Sequence, residues 1–184
     1  EVDMLEINIS CPNVKEGGIA FGQDPRAAEG ITRAVKKYAK QPVIMKLSPN
    51  VTDIAGMAKA VEAGGADAVS LINTLTGMKI DIHRRTFALA NRTGGVSGPA
   101  VHPIAVRMVY ETAQAVKIPI IGMGGIASAK DAIEMILAGA SAVSVGTANF
   151  HDPAVTTKIV DGIERYLEEN HIEDIRELVG AVRD

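Results

Sequence analysis

The chain has 184 residues, 47% apolar and 22% charged, enough for one globular domain with a core of its own and unlike a disordered tail. A net charge of −3, with no run of five like charges and only 3% aromatic residues, excludes a basic, base-stacking nucleic-acid surface. No apolar stretch reaches the roughly 18 residues that cross a bilayer, and no signal-peptide pattern precedes the first strand.

Residues 2–9 read as a buried strand that ends on polar groups. Because the sequence enters this strand almost at once, and without a Met, it is expected to be a piece whose beginning is missing. Asp24-Pro25 opens an amphipathic helix to about Lys40, Asp24 capping it and Pro25 taking the first helical position. Residues 43–47 are a second strand, and a helix beginning near Asp53 ends at Gly64-Gly65. Residues 68–72 form a third strand, and a long excursion runs from Asn73 to Gly98. Within it, Lys79-Ile80-Asp81-Ile82 alternates like a short strand, and a connection this long reads either as a cover over the barrel mouth or as a surface insertion with no part in turnover. A helix over about 103–116, a strand over 118–123, a helix over 129–137 and a strand over 142–145 follow. Two closing helices are expected over 153–169 and 172–179.

Residues 62–70 resemble residues 137–144. Both pass from a helix end, through a glycine suited to φ > 0, into a strand. Strict alternation of strand and helix implies a parallel sheet of βαβ units. The polar and glycine signals follow strand after strand: residues 8–13, Lys46, Asn73-Thr74, Gly124-Gly125 and Gly146-Thr147. A ring of functional groups at the C-terminal strand ends is what a (β/α)8 barrel produces. The expected fold is therefore α/β, a TIM (β/α)8 barrel with its last five βα units present. Residues 1–184 would be the C-terminal part of a single barrel domain.

The motif Gly122-Met123-Gly124-Gly125-Ile126 ends one strand and Gly146-Thr147-Ala148 the next. Glycines there either permit tight βα turns or let backbone N–H groups approach a phosphate, and two such motifs on consecutive strand ends favour the phosphate. Lys46 interrupts an apolar strand. It reads either as a snorkelling lysine or as a cation facing the barrel mouth beside a group that gains negative charge. Asn8, Ser10, Cys11, Pro12 and Asn13 form the densest polar cluster. Asn side chains donate and accept, and so read the amide edge of a heterocycle. Cys11, just past a strand end, is either a small buried hydrophobe or a thiolate base or nucleophile. A single cysteine forms no internal disulfide, which suits the cytoplasm, and cannot alone hold an iron–sulfur cluster, which takes about four. His83, His102, His151 and His171 show no metal spacing, so no metal is expected.

The run Asn8 to Val14, followed by Gly17-Gly18 and Phe21-Gly22-Gln23-Asp24-Pro25, resembles the signature of class 1 dihydroorotate dehydrogenases. The Val14 to Phe21 stretch is most similar to the 1B catalytic subunit. Lys46, Ile72-Asn73-Thr74, residues 94–99, 122–126 and 145–149 resemble the family's later motifs in the same order. The resemblance implies oxidation of dihydroorotate to orotate in pyrimidine biosynthesis, with FMN as hydride acceptor and Cys11 as the base. It implies FMN contacts from Asn8, Lys46, Ile72, Gly98, Gly124, Gly125, Gly146 and Thr147. Orotate contacts fall to Asn8, Asn13, Asn73 and Thr74. For subclass 1B it further implies a homodimer core in a heterotetramer with a partner subunit. That partner carries FAD and a [2Fe–2S] cluster and passes electrons to NAD+. The alternatives are a fumarate-linked class 1A enzyme, a dihydropyrimidine dehydrogenase-like FMN barrel, or a non-catalytic phosphate-ligand barrel fragment.

Overall fold

The computed structural model of the protein describes residues 2–10 and 22–183. Its centre is a five-stranded parallel sheet: β1 (Leu5–Asn8), β2 (Val43–Lys46), β3 (Ala68–Leu71), β8 (Ile120–Met123) and β9 (Ala142–Ser144). These strands lie side by side in sequence order. A doubly wound sheet reverses its order at a switch point, whereas a barrel advances strand by strand in one direction. The order here is the barrel's.

Each crossover is a helix: α1 (Pro25–Lys36), α2 (Ile54–Ala63), α3 (His102–Ala113) and α4 (Ala129–Leu137). In α2 the buried residues are Ile54, Met57, Ala58 and Val61, the i, i+3, i+4, i+7 stripe of a helix lying on a sheet. The helix ends follow the sequence. Asp24 accepts from the Arg26 N–H, Asp53 Oδ1 from the Gly56 N–H at 2.8 Å, and the Ser128 side chain from the Asp131 N–H. Past α2 and α4 the chain turns at Gly65 (φ +95°) and Gly139 (φ +120°), the two glycines of the internal repeat. Gly64 is fixed by packing instead, because a Cβ there would lie 2.6 Å from the Thr32 Cβ of α1.

Register and pleat give the sheet two unlike faces. Val43, Met45, Val69 and Leu71 are fully or almost fully buried under the helices. The other face carries Glu6 and Asn8 from β1, Lys46 from β2, Ser70 from β3, Met123 from β8 and Ser144 from β9, aligned by Asn8↔Lys46, Lys46↔Ser70 and Met123↔Ser144. Polar residues thus collect on the concave side, towards the C-terminal strand ends.

The excursion after β3 differs from a plain loop. It holds two antiparallel ribbons, β4 (Leu75–Met78) with β7 (Thr93–Val96) and, beyond them, β5 (Ile80–Asp81) with β6 (Thr86–Phe87). Glycines at 77, 94 and 95 hid the first ribbon, since they weaken any strand signal. They are needed because the strands meet so closely: a Cβ on Gly77 would lie 2.4 Å from Val96 Cγ2. Past β9 come α5 (Ala148–His151) and α6 (Val155–Glu169). The closing helix expected over 172–179 is instead a single 3₁₀ turn, Ile175–Leu178. A capping box between Asp174 and Glu177 starts it, and Gly180 at φ +69° follows its end. No helix among the described residues is long and apolar enough to cross a membrane.

Candidate active site

The C-terminal ends of β2, β3, β8 and β9 surround one cavity of about 610 Å³, within the range of small-ligand sites. Lys46 enters it from the end of β2. Ile72, Asn73 and Thr74 enter after β3, Gly124 and Gly125 after β8, and Gly146 and Thr147 after β9. Gly98 lines it from the return of the excursion. Nine of the residues expected from sequence thus share one space. Asn8 does not line the cavity but is joined to it, since Asn73 Nδ2 donates to Asn8 Oδ1 at 3.3 Å and to Ser10 Oγ at 2.5 Å. Ser10 also donates to Asn8 Oδ1 from its backbone N–H at 3.0 Å and from its hydroxyl at 2.8 Å. The expected base Cys11 and the expected substrate ligand Asn13 lie outside the described residues.

Lys46 sits where a strand has just left the core, with a quarter of its side chain exposed. Its Nζ lies 3.2 Å from Glu6 Oε1, two residues earlier than Asn8 on the same face of β1. Glu6 had no motif to single it out. The strand period alone gives it, through the pairing Glu6↔Ile44 one step below Asn8↔Lys46.

The glycine loops have the shape of a cradle. Gly124 (φ +130°) and Gly125 (φ +71°) are in backbone regions that disfavour side chains. Behind them the space is full, since a Cβ on Gly125 would lie 2.7 Å from the Gly98 carbonyl oxygen and one on Gly124 2.8 Å from Ala105 Cβ. Gly98 and Gly146 border open space, with nothing within 4 Å of where a Cβ would stand. The turn after β9 is held by Asn149, whose Nδ2 donates to the carbonyls of Val145 at 2.8 Å and Gly146 at 3.0 Å. Across the cavity rim, the hydroxyls of Ser97 and Thr147 hydrogen-bond at 2.9 Å.

Asn50 ties the excursion to the strand ends. Its Nδ2 donates to the Thr74 carbonyl at 3.0 Å, and its Oδ1 accepts from the Thr76 N–H at 3.0 Å. The return of the excursion, Ser97 to Pro99, forms one cavity wall. Its far ribbon leaves Ile82 and Phe87 exposed. Ala127, Ser144, His151, Asp152 and Val155 also line the cavity and were not singled out by the sequence, while Met123 lines it from within the first glycine motif. Met123 and Ser144 were legible as the residues beside Lys46 on the concave face; His151 and Asp152 follow only from the placement of α5.

The family model for dihydroorotate dehydrogenase matches residues 1–167. The catalytic subunit of dihydroorotate dehydrogenase B (NAD(+)) from Lachnoclostridium phytofermentans is 67% identical over 182 residues, 99% of this chain and 61% of that protein. The protein of the same description from Alkaliphilus metalliredigens is 60% identical over 99% of this chain and 60% of its own length. The chain thus spans about three fifths of the curated relatives it matches. Among solved structures, an Eimeria tenella dihydroorotate dehydrogenase in complex with ferulenol superposes with a TM-score of 0.81 at 24% identity, over 97% of this chain and 54% of that one. With the sequential parallel strand order, this establishes a TIM (β/α)8 barrel, five of whose strands lie in this chain. By sequence over nearly its whole length, the chain belongs to the dihydroorotate dehydrogenase family.

Proposed function

We propose that the full-length protein is the catalytic subunit of an NAD+-linked dihydroorotate dehydrogenase that oxidises dihydroorotate to orotate in pyrimidine biosynthesis. The observation that carries this reading is the convergence of Lys46, Asn73, Thr74 and two glycine loops from successive strand ends on one cavity.

The residues present fit FMN. Gly98, Gly124, Gly125, Gly146 and Thr147 supply a phosphate cradle free of side-chain bulk at its glycine positions, and Ile72 an apolar wall. Bound there, FMN would accept the hydride from C6 of the substrate. The chain's own groups do the rest. Lys46 offsets the negative charge that develops during reduction, an electrostatic role for a cation held in place before the charge appears. Glu6, its neighbour, fixes the ammonium in place. Asn73 and Thr74 orient the substrate's polar edge, with Asn8 and Ser10 locking the Asn73 amide and Asn13 adding a contact. Cys11 takes the proton from C5, leaving the C–H bonding pair to form the C5=C6 double bond as the hydride departs. The thiolate is the form that accepts this proton, so turnover through Cys11 should rise with pH.

Electrons leave through a partner subunit that carries FAD and a [2Fe–2S] cluster and delivers them to NAD+. The two subunits assemble as a heterotetramer on a homodimer core, in the cytoplasm. The B (NAD(+)) names of the relatives support this exit over fumarate. The test is Cys11→Ala in the full-length enzyme. Flavin content should be unchanged and turnover at neutral pH should fall by at least about 100-fold, the lower range of general-base contributions. Turnover within a few-fold of the parent removes Cys11 from the mechanism.

A further inference from the structure

No histidine spacing in the sequence points to a metal, yet the fold brings His102, the first residue of α3, against the first turns of α4. The His102 side chain is only 9% exposed. Its Nδ1 lies 2.9 Å from the Gly124 carbonyl oxygen. A carbonyl only accepts, so Nδ1 carries the hydrogen and donates it. Nε2 is left as a buried atom without a hydrogen-bond partner. It faces two carboxylates, Glu134 Oε2 at 3.3 Å and Asp131 Oδ1 at 4.0 Å. These are three residues apart and share one side of α4. Asp131 Oδ2 is already engaged, accepting from the Ala127 N–H at 3.0 Å and the Ser128 hydroxyl at 2.9 Å, which leaves Oδ1 turned to the histidine.

We propose that His102 Nε2, Asp131 Oδ1 and Glu134 Oε2 bind one first-row divalent cation of the zinc type. The three donor atoms lie within 4.8 Å of one another. Around a tetrahedral zinc with bonds of about 2.0–2.2 Å, donors stand about 3.3 Å apart. The His102–Glu134 pair is already at that spacing, and closing the remaining donor distances onto it takes a shift of at most about 1.5 Å. The hydrogen bond from Nδ1 to a backbone carbonyl is the usual device that fixes the tautomer and ring orientation of a metal-ligating histidine. One imidazole and two carboxylates suit zinc, manganese or cobalt, whereas magnesium prefers oxygen ligands alone. Half of the Glu134 side chain is exposed, which gives an entry path and room for water as the fourth ligand. None of the three residues lines the cavity at the strand ends, although His102 stands directly behind its glycine loop through the hydrogen bond to the Gly124 carbonyl.

The test is calorimetric titration of the full-length, flavin-loaded subunit, stripped of metals with chelator, using zinc chloride alone. The proposal expects one zinc per chain at a site lost or weakened at least tenfold by His102→Gln and by Glu134→Gln, and kept in Cys11→Ser. Magnesium chloride should give no comparable binding. Should His102→Gln fail to fold, Glu134→Gln, which alters a half-exposed carboxylate, decides alone. Zinc binding unchanged in Glu134→Gln, binding lost in Cys11→Ser, or no binding by the parent protein overturns the proposal. His102 would then be an imidazole paired with carboxylates and nothing more.

Discussion

At the scale of single residues, the site depends on side chains that are absent as much as on those present. Gly125 has φ +71°, and any Cβ there would press on the Gly98 carbonyl and the His102 Cβ at 2.7 and 2.8 Å. An L-residue held in that region costs on the order of 1–3 kcal/mol before the clash is counted. Gly125→Ala in the full-length protein should therefore lower its melting temperature and weaken FMN binding by at least about tenfold, the equivalent of about 1.4 kcal/mol. Equilibrium flavin titration with the apoprotein measures it, and parental affinity would show that the loop after β8 does not hold the cofactor. Lys46 shows how far sequence goes at this scale. An isolated lysine closing an apolar strand stood out at once, while its partner Glu6 did not. A carboxylate near a strand start has no local signature, and its pairing with Lys46 exists only once β1 and β2 are in register.

At the scale of elements, α1, β2 and β3 are tied together by one carboxylate. Asp67, just before β3, accepts from Lys36 Nζ at 2.6 Å and from the Val43 N–H at 2.7 Å. The Lys36 hydrogen bond and then the Val43 N–H hold its carboxyl below the ordinary value of 3.8. A pKa depressed in the folded state means stabilisation that is complete above the unfolded value and lost as pH falls through the folded one. The pair is partly exposed, so solvent screening limits its contribution to about 1 kcal/mol or less. Asp67→Asn should therefore lower the melting temperature near pH 7, and the difference from the parent should shrink as pH falls below 3.8. Melting curves from pH 7 to 3 check this; a constant difference would mean that the carboxylate charge is not the cause.

Helix and strand positions were largely readable because their signals are local. Asp24, Asp53 and Ser128 cap helices, and Gly65 and Gly139 turn the chain at helix ends, as their residue types require. The ribbons of the excursion and the closing 3₁₀ turn were not. β4 and β7 pair across a long separation through glycines that carry no strand propensity, and residues 172–179 mix helix-forming side chains with a cap that starts only at Asp174.

At the scale of the whole molecule, the sheet advances in sequence order and leaves the outer edges of β1 and β9 without a partner among the described residues. Strand edges of this kind pair with further strands, and the relatives are longer than this chain by about two fifths of their length. The barrel was legible because polar residues recur at one end of each strand, a pattern that only a common mouth explains. The same pattern made Lys46, Asn73, Thr74 and the glycine loops predictable as a group. His102 was missed as a candidate ligand because its carboxylate partners come from a different helix, which residue spacing cannot show. What unites the strand ends is one claim: they hold a flavin against dihydroorotate. The most direct measurement is the flavin absorbance of the full-length subunit under anaerobic conditions as dihydroorotate is added. Bleaching of the oxidised flavin band within the turnover time, with recovery on adding NAD+ and the partner subunit, is the predicted result. A protein that binds FMN yet stays oxidised under excess dihydroorotate, or that carries no flavin, contradicts the account.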